Sequence, residues 1–151
     1  MNKPIELSVV PAPAAGAVGR SLPHESAHLH VQGNAPYTDD LPELAGTLHC
    51  ALGLSPLAHG VLQGIDVEAL RALPGVVDVL TAKDIPGENE CGSLVKDDPI
   101  LAGEAGATLR WLGQPVFAVI AHTRDAARRA AARAKQVISA DPLPPILTPQ
   151  Q

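Results

Sequence analysis

Aromatic side chains are almost absent: Tyr37, Trp111 and Phe117 are the only three in 151 residues. Packing therefore falls to Leu, Val, Ile and Ala. Their contacts are small, which implies close backbone approach or a domain that completes its packing against a partner. Cysteine is scarce as well. Cys50 and Cys91 are the only two and form no C-x-x-C, which excludes the usual cysteine-based zinc and redox motifs. With no signal peptide evident, the expected setting is a reducing cytoplasm holding two free thiols. No apolar run approaches the roughly 18 residues of a membrane span. Basic charge is outnumbered, with 11 Lys and Arg against 16 Asp and Glu and a net charge of -5, so no nucleic-acid surface is expected. The one basic cluster, Arg124, Arg128, Arg129, Arg133 and Lys135, has helical spacing and reads as a solvated helix face.

What is present suits one mixed α/β domain with a loose end. Residues 1–20 lack a helical period and read as a flexible arm. Residues 21–45 read as an extended, proline-punctuated strap. In "GTLHCALGL" residues alternate with a period of two, so a half-buried strand is expected, with Leu48, Cys50, Leu52 and Leu54 on its apolar, inward face. "HGVLQGID" is a second strand. Asp66 caps a short helix carrying Val67, Leu70 and Leu73 on one face, stopped by Pro74-Gly75. "VVDVLTA" is a third strand, and Thr81 with Asp84 resembles a capping box over one turn. Residues 86–108 show no clear element, and so long an irregular stretch points to function or to a bound partner. "PVFAVIA" is a strand covered on both faces. Thr123 caps the helix "RDAARRAAARAK", whose alanine stripe lets it lie close on a sheet. "QVIS" ends the order as a short strand, and "ADPLPPILTPQQ" is an extended exit. The expectation is α/β, α+β mixed: about five strands with two helices, in the order β-β-α-β, long loop, β-α-β.

The candidate sites are few. "LPHESAHLHV" clusters His24, His28 and His30. Read as extended chain, His28 and His30 share one side, and they are the weak candidates for a metal site, which would also need further ligands. Asp39 and Asp40 in "YTDDLPE" are adjacent, so on extended chain they point apart. That suits a turn role better than paired acid–base work. Gln114, between Gly113 and Pro115, heads a central strand. A buried glutamine needs partners, and bonds to the strap or the long loop are expected. Cys50 reads as inert core. No G-x-S-x-G, P-loop or G-x-G-x-x-G occurs in the sequence. No catalytic or cofactor-binding residue is assigned.

Taken together, "GRSLPHESAHLHVQGNAPYTDDLPELAGTLHCALGLSPLAHG", "LPGVVDVLTAKDIPGENECG", "DDPILA" and "GQPVFAVIAHTRDAARRAA" resemble the aldehyde oxidase/xanthine dehydrogenase a/b hammerhead domain. That domain opens the molybdenum-binding large subunit of bacterial xanthine dehydrogenases. The resemblance covers roughly residues 17–148, with the hammerhead domain assigned to 21–148. It implies a complete enzyme that oxidises hypoxanthine and xanthine with molybdopterin-bound molybdenum, two [2Fe-2S] clusters and FAD. The clusters and FAD would sit on a separate small subunit. The family's catalytic glutamate and substrate-holding arginine lie downstream of this domain, so none is carried over. What remains is a scaffold and interface role. Tyr37, Asp39, Asp40, Asn89 and Gln114 are its interface candidates, and the downstream molybdenum domains and the small subunit are its partners. The other readings are an aldehyde oxidase-type or other molybdenum hydroxylase, and a stand-alone metal-binding or interaction module. The short length fits a piece of a longer subunit or a degenerate independent reading frame. Two features depart from the family: Ser139 stands where an aromatic is usual, and the lead "LAGEAGATLRWLGQ" is long.

Overall fold

A computed structural model describes residues 18–145 and 147–149. Most of the expected N-terminal arm, residues 1–17, lies outside the described residues. The chain divides into two compact units, Met1–Glu43 and Leu44–Gln151.

In the first unit the strap is not extended where the histidines lie. Residues Ala27–Gln32 form a helix, α1. Gly33 closes it at φ +71°, a left-handed conformation that costs glycine little. Its N–H donates to the His30 carbonyl at 3.2 Å, and the Asn34 N–H reaches the Leu29 carbonyl at 2.9 Å. The polar alternation of "HLHV" concealed a helix whose stop signal is Gly33. A single 3-10 turn follows at Thr38–Asp40.

The second unit contains strands β1 (His49–Leu54), β2 (Gly60–Ile65), β3 (Val76–Leu80), β4 (Thr108–Leu109), β5 (Pro115–Ala121) and β6 (Ile138–Pro142). Its helices are α2 (Val67–Arg71), α3 (Arg124–Ala131) and α4 (Ala134–Val137). Two three-stranded antiparallel sheets result, in the orders β1-β5-β3 and β4-β2-β6. The capping residues act as expected. Asp66 Oδ1 accepts the Ala69 N–H at 3.0 Å, and Thr123 Oγ1 accepts the Ala126 N–H at 3.1 Å. The anticipated single long helix is divided, because a turn at 132–133 lets Ala134 and Val137 enter the core beside Leu62 and Ile138. The last strand also runs beyond "QVIS" to Pro142. Proline is tolerated there because β6 is an outer strand. A register shift between Leu62 and Gly64 falls opposite Ser139 and Ala140, where the sequence departs from the family pattern.

β5 is central and nearly wholly buried, as its unbroken apolar run requires. The orientation of β1 is the reverse of the expected one. Ala51 and Gly53 face inward, while Cys50, Leu52 and Leu54 are exposed. Size decides this. Ala126, Ala127, Ala130 and Ala131 of α3 are all buried, and Ala51 packs against the cluster formed by Ala121, Ala126 and Ala127. Only small residues on the sheet allow a helix to settle so near. Phe117, the one buried aromatic, pairs with Gly53 and lays its ring over it. A Cβ built on Gly53 would fall inside that ring.

Gly53→Ala should therefore overpack the β1–β5 pair and cost about 1–3 kcal/mol. Thermal unfolding of Gly53→Ala, Phe117→Leu and the double variant checks this. The smaller leucine should recover part of the loss, so the two substitutions should be non-additive.

Candidate functional site

The three histidines do not converge as a ligand set. His24 and His30 meet edge-to-face with ring centroids 5.2 Å apart, and His30 meets Tyr37 likewise at 5.8 Å. His30 Nδ1 shares a 3.1 Å hydrogen bond with the Tyr37 hydroxyl, and His24 Nδ1 shares one of 3.3 Å with Ser26 Oγ. The ring nitrogens thus engage the strap's own hydroxyls. His28, two residues from His30 on a helix, lies on another face. Among the described residues, no three His, Cys, Asp or Glu side chains come together as a metal site. Asp40 Oδ2 accepts the Tyr37 N–H at 3.0 Å, the local turn bond expected of such an aspartate. Asp39 occupies the same turn and is exposed.

Asn89 and Gln114 organise the long segment. The Asn89 amide donates to the Leu101 carbonyl at 2.7 Å, and the Leu101 N–H donates to Asn89 Oδ1 at 3.0 Å. This two-point clasp imitates a strand pairing and draws residues 89 and 101 together. Beyond it, Leu101 and Ala102 are buried, and the Ala102 N–H donates to the Pro115 carbonyl at 2.7 Å. The segment therefore packs largely on its own unit, with Leu94 and Val95 projecting from its tip. Gln114 is 1% exposed. Its Oε1 accepts the Arg110 N–H at 2.8 Å, so this bond stays within its own turn rather than crossing to the strap or the loop. Arg110 then reaches the loop, donating from Nη1 to the Asp97 carbonyl at 3.0 Å. Sequence reading overlooked Arg110, although its place four residues before a buried glutamine was a usable signal.

Two carboxylates flank the outer strand β3. The Val79 N–H holds the Asp78 carboxyl below the usual carboxylate range, helped by the Arg71 guanidinium, which donates at 3.0–3.1 Å. The Thr81 N–H, then the Thr81 hydroxyl, lower Asp84 in the same way, at 2.8 and 2.9 Å. Such hydrogen bonds favour the ionised form. On α3, Arg129 pairs with Asp125 one turn away, and both are exposed. The basic stripe is accordingly a solvated face. The largest depression, about 450 Å³, lies between the outer edge of β1 and the end of α3. Leu52, Leu54, Pro56 and Leu112 line it, with Arg128 and Lys135 at its rim. It contains no acid–base pair and no nucleophile beside a base.

Residues 32–138 match the family described as aldehyde oxidase and xanthine dehydrogenase, a/b hammerhead domain. The chain belongs to that family. A xanthine dehydrogenase of Oryza sativa subsp. japonica is 39% identical over 132 residues, covering 87% of this chain and 9% of that protein. Aldehyde oxidase 2 of Rattus norvegicus is 39% identical over 135 residues, covering 89% of this chain and 9% of that one. Among solved structures, a CO dehydrogenase from Oligotropha carboxidovorans superposes with a TM-score of 0.69 at 31% identity, covering 83% of this chain and 15% of that chain. The chain thus spans about a tenth of the length of the curated relatives it matches. The two antiparallel sheets and short helices are the hammerhead domain of this family of molybdenum hydroxylases.

The cofactors that the family implies do not fit these residues. A [2Fe-2S] cluster takes four thiolate ligands or their histidine equivalents. The chain has two cysteines, Cys50 on β1 and Cys91 on the long segment, both exposed. Phosphate-bearing cofactors would want a glycine-rich cradle, and the main depression is leucine-lined. No catalytic step is derived through these groups.

Asn89→Leu should leave the Leu101 N–H and carbonyl unpaired and cost about 1–3 kcal/mol. A lowered urea midpoint and faster proteolysis between residues 90 and 100 would register it. Because Asp78 and Asp84 are depressed in the folded state, their stabilisation is complete above the unfolded carboxylate range. It is lost as pH falls through their folded values. Asp84→Asn should therefore lower the melting temperature at neutral pH and flatten the decline below about pH 4. Melts across pH 2–7 test the sign.

Proposed function

We propose that this chain is the hammerhead portion of a xanthine dehydrogenase-like molybdenum hydroxylase and serves as scaffold and interface rather than as catalyst. The complete enzyme would convert hypoxanthine and xanthine to urate in purine catabolism. It would use molybdopterin-bound molybdenum, [2Fe-2S] clusters and FAD held by other domains and by a small subunit. The observation that carries this reading is the 39% identity to a xanthine dehydrogenase, coupled with coverage of only 9% of that protein. Two exposed thiols suit a reducing cytoplasm. Residues 1–20 are read as an arm and 21–148 as the domain. Tyr37, Asp39 and Asp40 would present the strap to neighbouring domains. Asn89 and Gln114 would contribute by fixing the long segment and its entry into β5.

Equal identity to aldehyde oxidase 2 favours a second reading in which the complete enzyme oxidises aldehydes. Substrate choice would then rest outside this domain in either case.

The purified chain should show no xanthine-dependent reduction of an electron acceptor and release no pterin on acid extraction. Turnover above background would overturn the scaffold role. Metal analysis separates the remaining module reading: stoichiometric zinc or nickel, lost in His28→Ala/His30→Ala, would replace the scaffold with a metal-binding function.

A further inference from the structure

The outer face of the β1-β5-β3 sheet is apolar without being covered. Leu52 and Leu54 are 48% and 44% exposed and Leu80 is 37% exposed, with Cys50 and Ile120 beside them. An antiparallel sheet with one solvated face normally alternates apolar inward and polar outward. Here β1 reads small and apolar on the inner side and large and apolar on the outer. That is the composition of a strand covered on both faces, in a sheet whose inner face α3 already occupies. A polar border is present, because Asp78 pairs with Ile120 across the strands and is bound to Arg71. A large apolar patch with a polar rim marks an interaction surface. β1 is also an outer strand with no charged side chain among its six residues, so it lacks the usual protection of a solvent-facing edge.

The geometry points to this leucine face as the seat of the remaining, catalytic domains of a molybdenum hydroxylase subunit. The inference rests on the family reading given above. The occupant follows from length: the relatives carry about ten times this chain's matched span, while one sheet face of the domain is left apolar. The face differs from the strap and the long segment, which hold most of their polar groups in bonds of their own.

The test places this chain in the matched region of the rice xanthine dehydrogenase, with and without Leu52→Thr/Leu54→Thr. Threonine keeps strand propensity while removing the large apolar surface. Leu94→Glu, at a position 97% exposed on the long segment, is the control. The double variant should leave the melting of the isolated chain within a few degrees, since exposed substitutions perturb folding little. In the chimera it should raise trypsin cleavage at the junctions about tenfold and detach a separate melting transition, with Leu94→Glu doing neither. Equal protease resistance of the substituted and parent chimeras overturns the inference. So does collapse of the isolated double variant, which would place the leucines in the domain's own core. So does a chain dimer in sedimentation that the double variant dissociates, because a second copy would then be the occupant. If the unsubstituted chimera itself is not protected, the family scaffold reading fails instead, and this inference with it.

Discussion

The structure depends on how closely α3 can approach the sheet. Its inner stripe is alanine throughout, and Ala51, Gly53 and Ala121 meet it from below. Because the interface is built from small side chains, its stability comes from tight spacing rather than from the burial of large groups. The only sizeable buried ring, Phe117, is accommodated by removing a side chain at Gly53 rather than by moving a strand. Every larger residue of β1 is thereby sent to the opposite face. The leucine surface and the alanine helix are two results of one spacing requirement.

This also explains which parts of the fold could be read from the sequence. The caps at Asp66 and Thr123, the buried run of β5 and the alanine stripe have local signatures, and each lies where its signature places it. The inward face of β1 has no such signature. Period two divides Leu and Cys from Ala and Gly, both groups are apolar, and hydrophobicity alone selects the larger set. The deciding fact is the size of the partner surface some 75 residues later in the chain. α1 was missed for the opposite reason: it buries nothing, so no apolar stripe announces it, and only Gly33 marks its end. β6 was read short because proline is usually a strand breaker. Its pairing as an outer strand permits Pro142 opposite Gly60.

The candidate site was legible in its chemistry and not in its geometry. Histidine, tyrosine and aspartate in the strap were correctly singled out as polar groups needing partners. The partners are one another: His30 with Tyr37, and Asp40 with the backbone at Tyr37. The same self-sufficiency holds for Asn89 with Leu101. A polar group satisfied at home organises the chain that carries it and leaves recognition to the surfaces nearby. The domain therefore offers shape and apolar area to its surroundings more than it offers reactive groups.

The strand pairings have a further consequence for assembly of the chain itself. β1 pairs with β5 and β2 with β6, so His49 meets Ala121 and Gly60 meets Pro142. The two pairings interleave along the sequence. Neither sheet can close as a local hairpin, and each closure brings together ends that are tens of residues apart, a step whose entropic cost falls before the contacts form. A break at the exposed tip near Leu94 would leave β1, β2 and β3 on one piece and β4, β5 and β6 on the other. Each piece then holds only strands whose partners are on the other. The domain is in this sense two interlocked halves, each the template on which the other becomes ordered.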